Sequence, residues 1–406
     1  MTSYYPARAV VDLGAIRDNV GSLVRTASPS AGTGAQVLAV VKADGYGHGL
    51  VPAARAALAG GATWLGTAQL AEALALRAAG ISSRILTWLY APGAPLADLL
   101  RADVDVAVSA SWALDAVLAA ARETGRTARI HLKVDTGLGR NGIMPDELDT
   151  VLASAVAAQS DGLVEVVGIW SHLALADDPA HPTVLAQAAV FDDAVRRAEQ
   201  AGAHLEVRHL ANSAATLTNP RLHYDLVRPG LAVYGLTPVP DLGSAADYGL
   251  VPAMTLEARL ATVKEVPAGS GVSYGHQYTT TERTTLGVVP LGYGDGVPRH
   301  ASGDLPRRPG GPVRVGSGAS ARTLAVAGRV CMDQVVVDLG PDAAEQAGDT
   351  VVLFGPGTDG GPTAQDWADA AETISYEIVT RLGTRVPREY VGDVDLPEAR
   401  QGGPAV

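Results

Sequence analysis

Cysteine is almost missing from this sequence of 406 residues, since Cys331 stands alone and no disulfide can form within one chain. Aromatic residues are also scarce, with only two phenylalanines, so we expect an aliphatic core. The absence of disulfides fits a reducing cytoplasm. Residues 1–8 lack the basic-then-apolar order of a signal peptide. We therefore expect a soluble cytoplasmic protein.

Positive charge is outweighed by negative charge. Lysine and arginine number 31 against 43 acidic residues, which gives a net charge of −12. This balance opposes nucleic-acid binding, which needs a basic surface, but it leaves room for a local basic pocket that holds a small anion. No apolar run reaches the roughly 20 residues that a membrane helix requires. We expect neither nucleic acid nor membrane as a partner.

Short β-branched runs alternate with helix-like stretches as far as Tyr234. Strands are predicted at Val37–Val41, Trp64–Thr67, Arg84–Leu89, Val104–Val108, Arg129–Val134, Val164–Trp170, Glu206–Leu210 and Leu226–Tyr234. Helices between them include Leu70–Ala79, Ala113–Arg122 and Val184–Gln200. Such alternation implies parallel strands with right-handed crossovers, and eight repeats favour closure into a (β/α)8 barrel. An open, doubly wound sheet is the alternative.

The C-terminal part has a different texture, with short alternating runs separated by Gly- and Pro-rich turns. Strands are predicted at Met254–Val266, Thr285–Pro290, Thr323–Ala327, Gln334–Asp338 and Thr350–Phe354, helices at Gln365–Ala371 and Tyr376–Leu382, and a loop at Ser302–Pro312. The fold class is therefore α/β, an N-terminal TIM-like barrel with a C-terminal mostly β domain. We place the barrel at residues 8–243, the β domain at 1–7 plus 244–390, and a tail at 391–406.

The first predicted barrel strand ends in a lysine, Lys42, followed by the glycine-rich segment that contains Tyr46. Active sites of barrels lie at the carboxyl ends of the strands. Burial disfavours the charged ammonium, so Lys42 is a candidate amine nucleophile or base. The alternative is a lysine that extends to a carboxylate at the barrel rim. This segment alone leaves both interpretations open.

The fifth strand places Lys133 and Asp135 on one face, and Arg140 follows a glycine-rich turn. A guanidinium binds a carboxylate with two parallel hydrogen bonds, so Arg140 is a candidate for anion recognition. A salt bridge between Lys133 and Asp135 inside the barrel is the structural alternative to a catalytic role.

Later strand ends are rich in groups that bind anions. The sixth strand ends at His172, the seventh is followed by Asn212 and Ser213, and the eighth leads to Arg228 and Gly230. Asn and Ser are good helix N-caps, and helix N-termini after late barrel strands often hold phosphate. Two such strand ends in succession predict an anion-binding cradle.

The β domain adds tyrosines in glycine-rich loops, Tyr274 and Tyr293, as well as the pair Met332 and Asp333 and the more distant Tyr376. A tyrosine flanked by glycines is more often a recognition residue than a core residue. The alternative is an aromatic side chain that packs on a turn, or in the case of Tyr376 on the core.

Taken in order, these segments resemble alanine racemase over essentially the whole chain. The segment around Lys42 is similar to the family motif VKADAYGHG, with Gly45 where alanine is common, and Asn141 follows Arg140 where leucine is common. The resemblance implies pyridoxal 5′-phosphate as cofactor, no metal, and interconversion of L-alanine and D-alanine for peptidoglycan synthesis.

Residue roles follow from the same resemblance. It implies that Lys42 holds the cofactor as a Schiff base and acts on the D-alanine proton, while Tyr274 acts on the L-alanine proton. Arg228 faces the pyridine nitrogen and pairs with His172 beside the ring. The remaining assignments are Tyr46, Asn212, Ser213, Gly230 and Tyr376 for cofactor binding, Arg140, Met332, Asp333 and Tyr293 for substrate binding, and Lys133 for carbamylation.

The family pairs two chains head to tail, so the resemblance implies a homodimer whose active sites are shared between subunits. A racemase of the same type with a different or broader amino-acid preference remains an alternative. A decarboxylase of basic amino acids on the same barrel would need an acid where Arg228 stands. A single-domain pyridoxal-phosphate carrier would lack the β domain that contains Tyr274.

Overall fold

The structure is a computed structural model that describes residues 5–28, 34–304, 308–392 and 394. The chain divides into two compact units. The β unit comprises Met1–Ala15, Tyr46–Gly49 and Val251–Asp393, and the barrel unit comprises Ile16–Gly45, Leu50–Leu250 and Val394–Val406. Most of the predicted tail, together with residues 1–4 and 305–307, lies outside the described residues.

The first strand, β1 (Ala7–Asp12), belongs to the β unit, and the following strands form the barrel. The barrel strands are β2 (Gln36–Val40), β3 (Trp64–Thr67), β4 (Arg84–Thr87), β5 (Asp105–Val108), β6 (Ala128–Lys133), β7 (Val164–Trp170), β8 (Val207–His209) and β9 (Leu226–Val227). The helices in this part of the chain are α1 (Leu13–Ala27), the short turn α2 (Lys42–Tyr46), α3 (Leu50–Ala59), α4 (Leu70–Ala78), α5 (Leu96–Arg101), α6 (Ser111–Thr124), α7 (Leu148–Ser160), α8 (Pro182–Ala201) and α9 (Ser213–Thr218).

The barrel strands pair in parallel in the order β8-β7-β6-β5-β4-β3-β2-β9. The two end strands, β8 and β9, are joined by backbone hydrogen bonds from Asp225 to Arg208 (3.1 Å) and from Arg228 to Ala211 (2.9 Å). The sheet therefore comes close to closing on itself. The predicted (β/α)8 architecture is confirmed, and the open doubly wound sheet is excluded.

The last barrel strand is shorter than predicted. Only Leu226–Val227 is strand, and Leu231–Tyr234 forms a 3₁₀ helix. Pro229 between them has no N–H group to donate to a ladder, and its ring restricts the backbone. A run of apolar residues that is fully buried was therefore mistaken for one continuous strand.

The β unit is mostly strand, as predicted. Its further strands are β10 (Met254–Arg259), β11 (Thr262–Val266), β12 (Gly271–Val272), β13 (Tyr278–Thr279), β14 (Thr284–Val289), β15 (Pro312–Val315), β16 (Arg322–Ala325), β17 (Val335–Gly340), β18 (Thr350–Phe354) and β19 (Arg388–Val391). They form sheets in the orders β16-β15-β18-β10-β1-β19, β11-β14-β17 and β12-β13. The helices are α10 (Ala364–Ala371) and α11 (Ser375–Thr380).

Two features of the β unit differ from the sequence-based prediction. The single predicted strand Met254–Val266 is divided between two sheets, because Leu260 donates its N–H to Asp349 whereas Ala261 donates to Val288. The sequence-based boundary at residue 8 falls inside β1, which pairs antiparallel with β10 and parallel with β19. This pairing assigns residues up to Ala15 to the β unit.

Burial explains the two textures of the sequence. The barrel strand Trp64–Thr67 is buried at every position, whereas β10 alternates between buried and partly exposed residues. Parallel strands covered by helices are apolar on both faces, and antiparallel sheets commonly have one face towards solvent. The core is aliphatic as expected, with Ala, Val, Leu and Ile forming most of it. Within the described ranges, no helix has both the length and the apolar character needed to span a membrane.

Candidate active site

The turn after β2 has an unusual backbone. Ala43, Asp44 and Tyr46 have φ angles of 54°, 55° and 52°, in the left-handed region that non-glycine residues rarely occupy. The left-handed conformation costs about 1–2 kcal/mol per residue. Strain of this kind persists only where surrounding contacts enforce it, and it concentrates at functional sites. This strained turn follows directly after Lys42.

The side chain of Glu72 on α4 holds this turn. Its Oε1 accepts a hydrogen bond from the N–H of Ala43 (2.7 Å), and its Oε2 accepts from the N–H groups of Ala68 and Gln69 (both 3.0 Å). Our sequence analysis missed Glu72. The available signal was its position as the third helical residue of a capping box that begins at Gln69.

Lys42 lies half-buried at the end of the first barrel strand. Its pKa is lowered from the ordinary value because burial penalises the ammonium and Arg140 is positively charged, whereas Glu72 acts in the opposite direction. A rim carboxylate of the kind considered for Lys42 therefore exists. Both oxygens of Glu72, however, accept from backbone N–H groups, so its structural role is to hold the turn.

Lys133 is buried against an aromatic ring. Its Nζ lies 4.7 Å from the ring centre of Trp170, and Cζ of Arg228 lies 4.8 Å from the same ring. Burial, followed by the charges of Arg140 and Arg228, lowers the pKa of Lys133 to about 8. A sizeable fraction of this amine is therefore uncharged near neutral pH, which is the form that can act as a nucleophile.

Asp135 organises the loop that carries Arg140. Its Oδ1 accepts from the N–H groups of Gly137, Leu138 and Gly139 at 2.9–3.2 Å, and its Oδ2 accepts from the N–H of Arg140 (3.2 Å). Burial acts to raise the pKa of Asp135, but these backbone hydrogen bonds lower it. The carboxylate is thus directed to the backbone, which does not match the alternative of a salt bridge to Lys133.

Arg228 is nearly inaccessible, with 5% of its surface exposed. Its Nη2 donates to the carbonyl oxygens of Ser171 (2.7 Å) and Leu210 (3.2 Å), and it lies 3.5 Å from Nδ1 of His172. Its Nη1 lies 3.3 Å from Nδ1 of His209. Burial lowers the pKa of Arg228 to about 9, so the guanidinium remains a cation at neutral pH.

Positive charge is concentrated at this end of the barrel. Lys42, Lys133, Arg140 and Arg228 all lower the pKa of His172, after burial, to well below its ordinary value. His172 is therefore neutral, and its Nδ1 can accept from Arg228. Clustered cations repel one another in a medium of low dielectric constant, so a bound anion would stabilise this arrangement.

The seventh and eighth strand ends are joined by the hydroxyl group of Ser213. Its Oγ accepts from the N–H groups of Gly230 (2.8 Å) and Ala232 (3.3 Å). Asn212 caps α9 through its side chain, which accepts from the N–H of Ala215 (3.1 Å), as the sequence predicted. The cradle predicted from these strand ends is thus held together by its own hydrogen bonds.

In the β unit, Tyr46 and Tyr376 lie side by side, with ring centres 6.3 Å apart and ring planes tilted by 45°. Tyr46 is buried, and its backbone carbonyl oxygen lies 2.9 Å from Nδ1 of His48. Burial, followed by the proximity of Tyr376, raises the pKa of Tyr46, so this phenol is neutral and can donate a hydrogen bond.

Tyr274 lies on a strained turn and is 70% exposed. The residues that flank it have left-handed backbones, with φ of 60° at Ser273, 73° at Gly275 and 44° at His276. Ser273 is held in place because its Oγ donates to the carbonyl oxygen of Arg329 (2.7 Å). The exposed phenol of Tyr274 therefore lies on a turn that is held by the hydrogen bond between Ser273 and Arg329.

The loop that carries Tyr293 is hydrogen-bonded to the loop that carries Met332. The N–H of Tyr293 donates to Cys331 (3.0 Å) and that of Gly294 to Met332 (2.8 Å). A Cβ at Gly292 would lie 2.3 Å from the carbonyl oxygen of Cys331, so only glycine permits this approach. Tyr293 (41%) and Met332 (54%) are both exposed.

Asp333, next to Met332, accepts a hydrogen bond from Nη2 of Arg385 (2.8 Å). The predicted site residues therefore fall into two groups. Lys42, Lys133, Arg140, His172, Asn212, Ser213, Arg228 and Gly230 belong to the barrel unit, and Tyr46, Tyr274, Tyr293, Met332, Asp333 and Tyr376 belong to the β unit.

A lysine at the carboxyl end of the first barrel strand, among buried cations, is typical of a (β/α)8-barrel enzyme that binds an anionic ligand at its mouth. Comparison with known proteins agrees. Residues 11–238 match the N-terminal domain of alanine racemase and residues 253–390 match its C-terminal domain. The chain therefore belongs to the alanine racemase family, and it is a racemase enzyme.

Individual relatives cover nearly all of the chain. Alanine racemase from Beutenbergia cavernae is 63% identical over 96% of this chain and 99% of its own length. The crystal structure of alanine racemase from Streptomyces lavendulae is 54% identical, with a TM-score of 0.91 over 97% of this chain and 99% of that one. The enzyme from Bacillus anthracis with bound L-Ala-P is 30% identical, with a TM-score of 0.83 over 98% of each chain.

Proposed function

We propose that the chain interconverts L-alanine and D-alanine with pyridoxal 5′-phosphate bound through Lys42, and that Lys42 and Tyr274 are its two bases. The observation that carries this proposal is the cluster of cations around Lys42, of which Lys133 and Arg228 are buried, in a member of the alanine racemase family. When bound, the cofactor supplies a conjugated ring system that withdraws the negative charge developing at Cα.

The residues of the barrel fit the cofactor. An anionic ring oxygen of the cofactor requires a cation beside it, and Arg140 can supply one. Arg228 remains protonated and is donor-only, so it can hold a ring nitrogen by a hydrogen bond without giving up a proton. Because the nitrogen then stays uncharged, we expect Arg228 to restrain transamination, and Arg228→Glu should increase that side reaction.

We assign the cofactor phosphate to Tyr46, Ser213, Gly230 and Tyr376, with Asn212 beside them, on the family resemblance. The neutral phenol of Tyr46 can donate to a phosphate oxygen. The hydroxyl of Ser213 holds the backbone of Gly230 in one conformation, so this part of the site needs little ordering when an anion binds.

Substrate recognition is assigned to Arg140, Met332, Asp333 and Tyr293. Arg140 is suited to a carboxylate because its loop is fixed by Asp135. A broader amino-acid preference is tested by assaying both enantiomers of alanine beside serine, lysine and arginine. Comparable turnover of a larger amino acid would replace alanine as the assigned substrate.

We propose that Lys133 is carbamylated. Its uncharged amine forms an N–C bond to carbon dioxide, one C–O π bond becomes an O⁻, and the nitrogen releases a proton to solvent. The product is an anion beside Arg140 and Arg228, which relieves the repulsion that lowers the pKa of the amine. After incubation with ¹³C-bicarbonate, wild type should show a carbamate ¹³C resonance that is missing in Lys133→Ala. An unmodified ammonium under these conditions would rule this out.

We propose a head-to-tail homodimer with shared active sites. Tyr274, Tyr293 and Met332 present a largely apolar surface in the β unit, and exposed patches of this kind commonly mark interaction sites. Lys42→Ala and Tyr274→Ala chains should each be inactive, and their mixture should recover part of the activity. No recovery after demonstrated subunit exchange would show that each site is built within one chain.

One experiment tests the main proposal. Purified protein should be yellow with cofactor bound, and it should racemise both enantiomers of alanine. A colourless preparation that stays inactive after cofactor is added would overturn the assignment. Release of carbon dioxide from basic amino acids would favour the decarboxylase alternative, which Arg228 opposes. A cytoplasmic location and a supply of D-alanine for peptidoglycan are further parts of this proposal.

A further inference from the structure

A chain of polar side chains runs through the aliphatic interior of the barrel below Arg228. His209, His131 and Asp105 are all completely buried. Nη1 of Arg228 lies 3.3 Å from Nδ1 of His209, Nε2 of His209 lies 3.0 Å from Nδ1 of His131, and Nε2 of His131 lies 3.2 Å from Asp105. Our sequence analysis assigned no role to these three residues.

The position of each proton along this series of hydrogen bonds follows from Arg228 at its first position. A guanidinium only donates, so Nδ1 of His209 must accept from Arg228. Burial, followed by the charge of Arg228, lowers the pKa of His209 well below its ordinary value, so this ring is neutral and has its proton on Nε2. Nδ1 of His131 must then accept, which leaves Nε2 of His131 to donate to Asp105.

Asp105, at the other end of the series, requires the same donor and acceptor at its hydrogen bond with His131. Burial acts to raise the pKa of Asp105, but hydrogen bonds from His131 and Arg84 and the charge of Arg84 lower it, so the carboxylate is ionised. It also accepts from Nη2 of Arg84 (2.5 Å) and from Nε of Arg129 (2.7 Å). An ionised carboxylate accepts only, so it requires the Nε2–H form of His131.

Packing and hydrogen bonds together fix the two imidazole rings. The ring of His209 stacks on Trp170 at 5.6 Å with an angle of 3°, and the ring of His131 meets the edge of Trp64 at 5.5 Å. A flipped imidazole would place a carbon where each nitrogen now lies. The contacts with Trp170 and Trp64 therefore fix the planes of the two rings, and the hydrogen bonds fix which edge of each ring faces its partner.

We propose that Asp105, His131 and His209 form a positioning relay that fixes the orientation of Arg228. The relay pins Nη1 through His209, while Nη2 is pinned by the carbonyl oxygens of Ser171 and Leu210. Both ends of the guanidinium are thus held. The functional consequence rests on the proposed role of Arg228 towards the ring nitrogen of the cofactor, but the proton positions do not.

The relay is tested first by the proton positions themselves. In the full-length protein, long-range ¹H–¹⁵N correlation spectra of the histidine rings should show His131 and His209 as neutral Nε2–H tautomers, with the cofactor bound and after its removal. An Nδ1–H tautomer at His209 in wild type would overturn the proposal. A colourless protein with the expected tautomers would contradict the proposed function and leave the relay intact.

The second test cuts the relay with His131→Asn. An asparagine can reach His209 from the position of Nδ1, but it cannot reach Asp105, and its amide can either donate or accept. Only the contact with Arg228 then holds His209 in the Nε2–H form. The Nδ1–H form should therefore become detectable in the fraction of molecules in which Arg228 turns away from His209. We expect kcat to fall by ~10–100-fold, the size typical for loss of a residue that orients an active-site group, with KM changed little.

The matched control is His223→Asn, the same change at another buried histidine of the barrel unit. Nε2 of His223 lies 3.0 Å from the carbonyl oxygen of Thr216, outside the relay. This variant should leave the His209 tautomer and kcat as in wild type. If His131→Asn leaves them unchanged as well, or if both variants lower kcat equally, His131 is only a packing residue and the relay is refuted.

Discussion

The two groups of candidate site residues differ in how the protein holds them. In the barrel unit, Lys133 and Arg228 are buried and contact the same Trp170 ring. Burial lowers the pKa of Arg228, and burial followed by the charges of Arg140 and Arg228 lowers the pKa of Lys133. In the β unit, Tyr274 and Met332 are more than half exposed. Lys133 and Arg228 are fixed by packing and hydrogen bonds, whereas at Tyr274 and Met332 the hydrogen bonds described above hold the loop beneath the exposed side chain.

This difference in burial allows effects on stability to be distinguished from effects on activity. A buried cation that loses a partner leaves another group unpaired, so a substitution in the barrel changes both stability and activity. An exposed side chain contributes little to folding, so a substitution at Tyr274 should affect the chemistry alone. Variants in the two units therefore test whether the exposed residues of the β unit contribute to activity as much as the buried residues of the barrel unit do.

The largest effect is expected for Lys42→Ala, which removes both the proposed cofactor attachment and one base. The protein should lose the yellow colour of the lysine-bound cofactor, and racemisation should fall by at least ~10⁴-fold. The backbone of the turn is held by Glu72 whatever the side chain at residue 42, so the fold should persist. Absorbance and a racemisation assay measure the result, and retained turnover would remove Lys42 from the mechanism.

Tyr274→Phe comes next. It should leave the free energy of unfolding within about 0.5 kcal/mol of wild type, because the side chain is exposed, yet lower kcat by ~10³-fold, the range for loss of a general base. With the family assignment, exchange of the Cα hydrogen of L-alanine with deuterated water should suffer more than that of D-alanine. Tyr390→Phe, a tyrosine of the same unit outside the proposed site, is the control. Equal effects of the two variants would exclude Tyr274 as a base.

Much of the barrel could be predicted from the sequence, because each buried strand is an apolar run bounded by turns. The bounds Trp64–Thr67 and Val164–Trp170 were predicted residue for residue. The alternating pattern of apolar residues gave a wrong prediction where one run of residues belongs to two sheets. Met254–Val266 contains strands of two sheets, and the switch between them depends on hydrogen bonds to Asp349 and Val288, far along the chain.

The chemistry of the site was less accessible to prediction. Lys42 and Arg228 were candidates because each follows a predicted barrel strand, and the motif order, which resembles a known family, gave them their roles. Glu72, His131 and Asp105 were missed because a carboxylate on a helix and polar residues in a strand look ordinary in sequence. Their importance depends on which groups the fold places beside them.

In the barrel unit, Glu72→Gln should have an effect smaller than that of Tyr274→Phe. The amide retains one acceptor oxygen, so it cannot satisfy all the N–H groups of Ala43, Ala68 and Gln69 that Glu72 binds. We expect a loss of about 1–3 kcal/mol in the free energy of unfolding, measured by urea denaturation, and a fall in kcat of about tenfold.

The control for this variant is Glu123→Gln. Glu123 forms an exposed ion pair with Arg101, and such pairs contribute little to stability. Its loss should change the unfolding free energy by less than about 0.5 kcal/mol. Equal stability of the two variants would mean that Glu72 does not hold the strained turn after Lys42.

The smallest effect concerns Asp135, which holds the Arg140 loop. Its pKa is lower in the folded protein, so its charged form contributes stability above the unfolded pKa of about 3.9, and that contribution is lost as the pH falls through the folded pKa. Asp135→Asn should therefore cost about 1 kcal/mol in urea denaturation at pH 7, and the difference from wild type should shrink below about pH 4. A difference that does not depend on pH would show that the four backbone hydrogen bonds do not require the carboxylate charge.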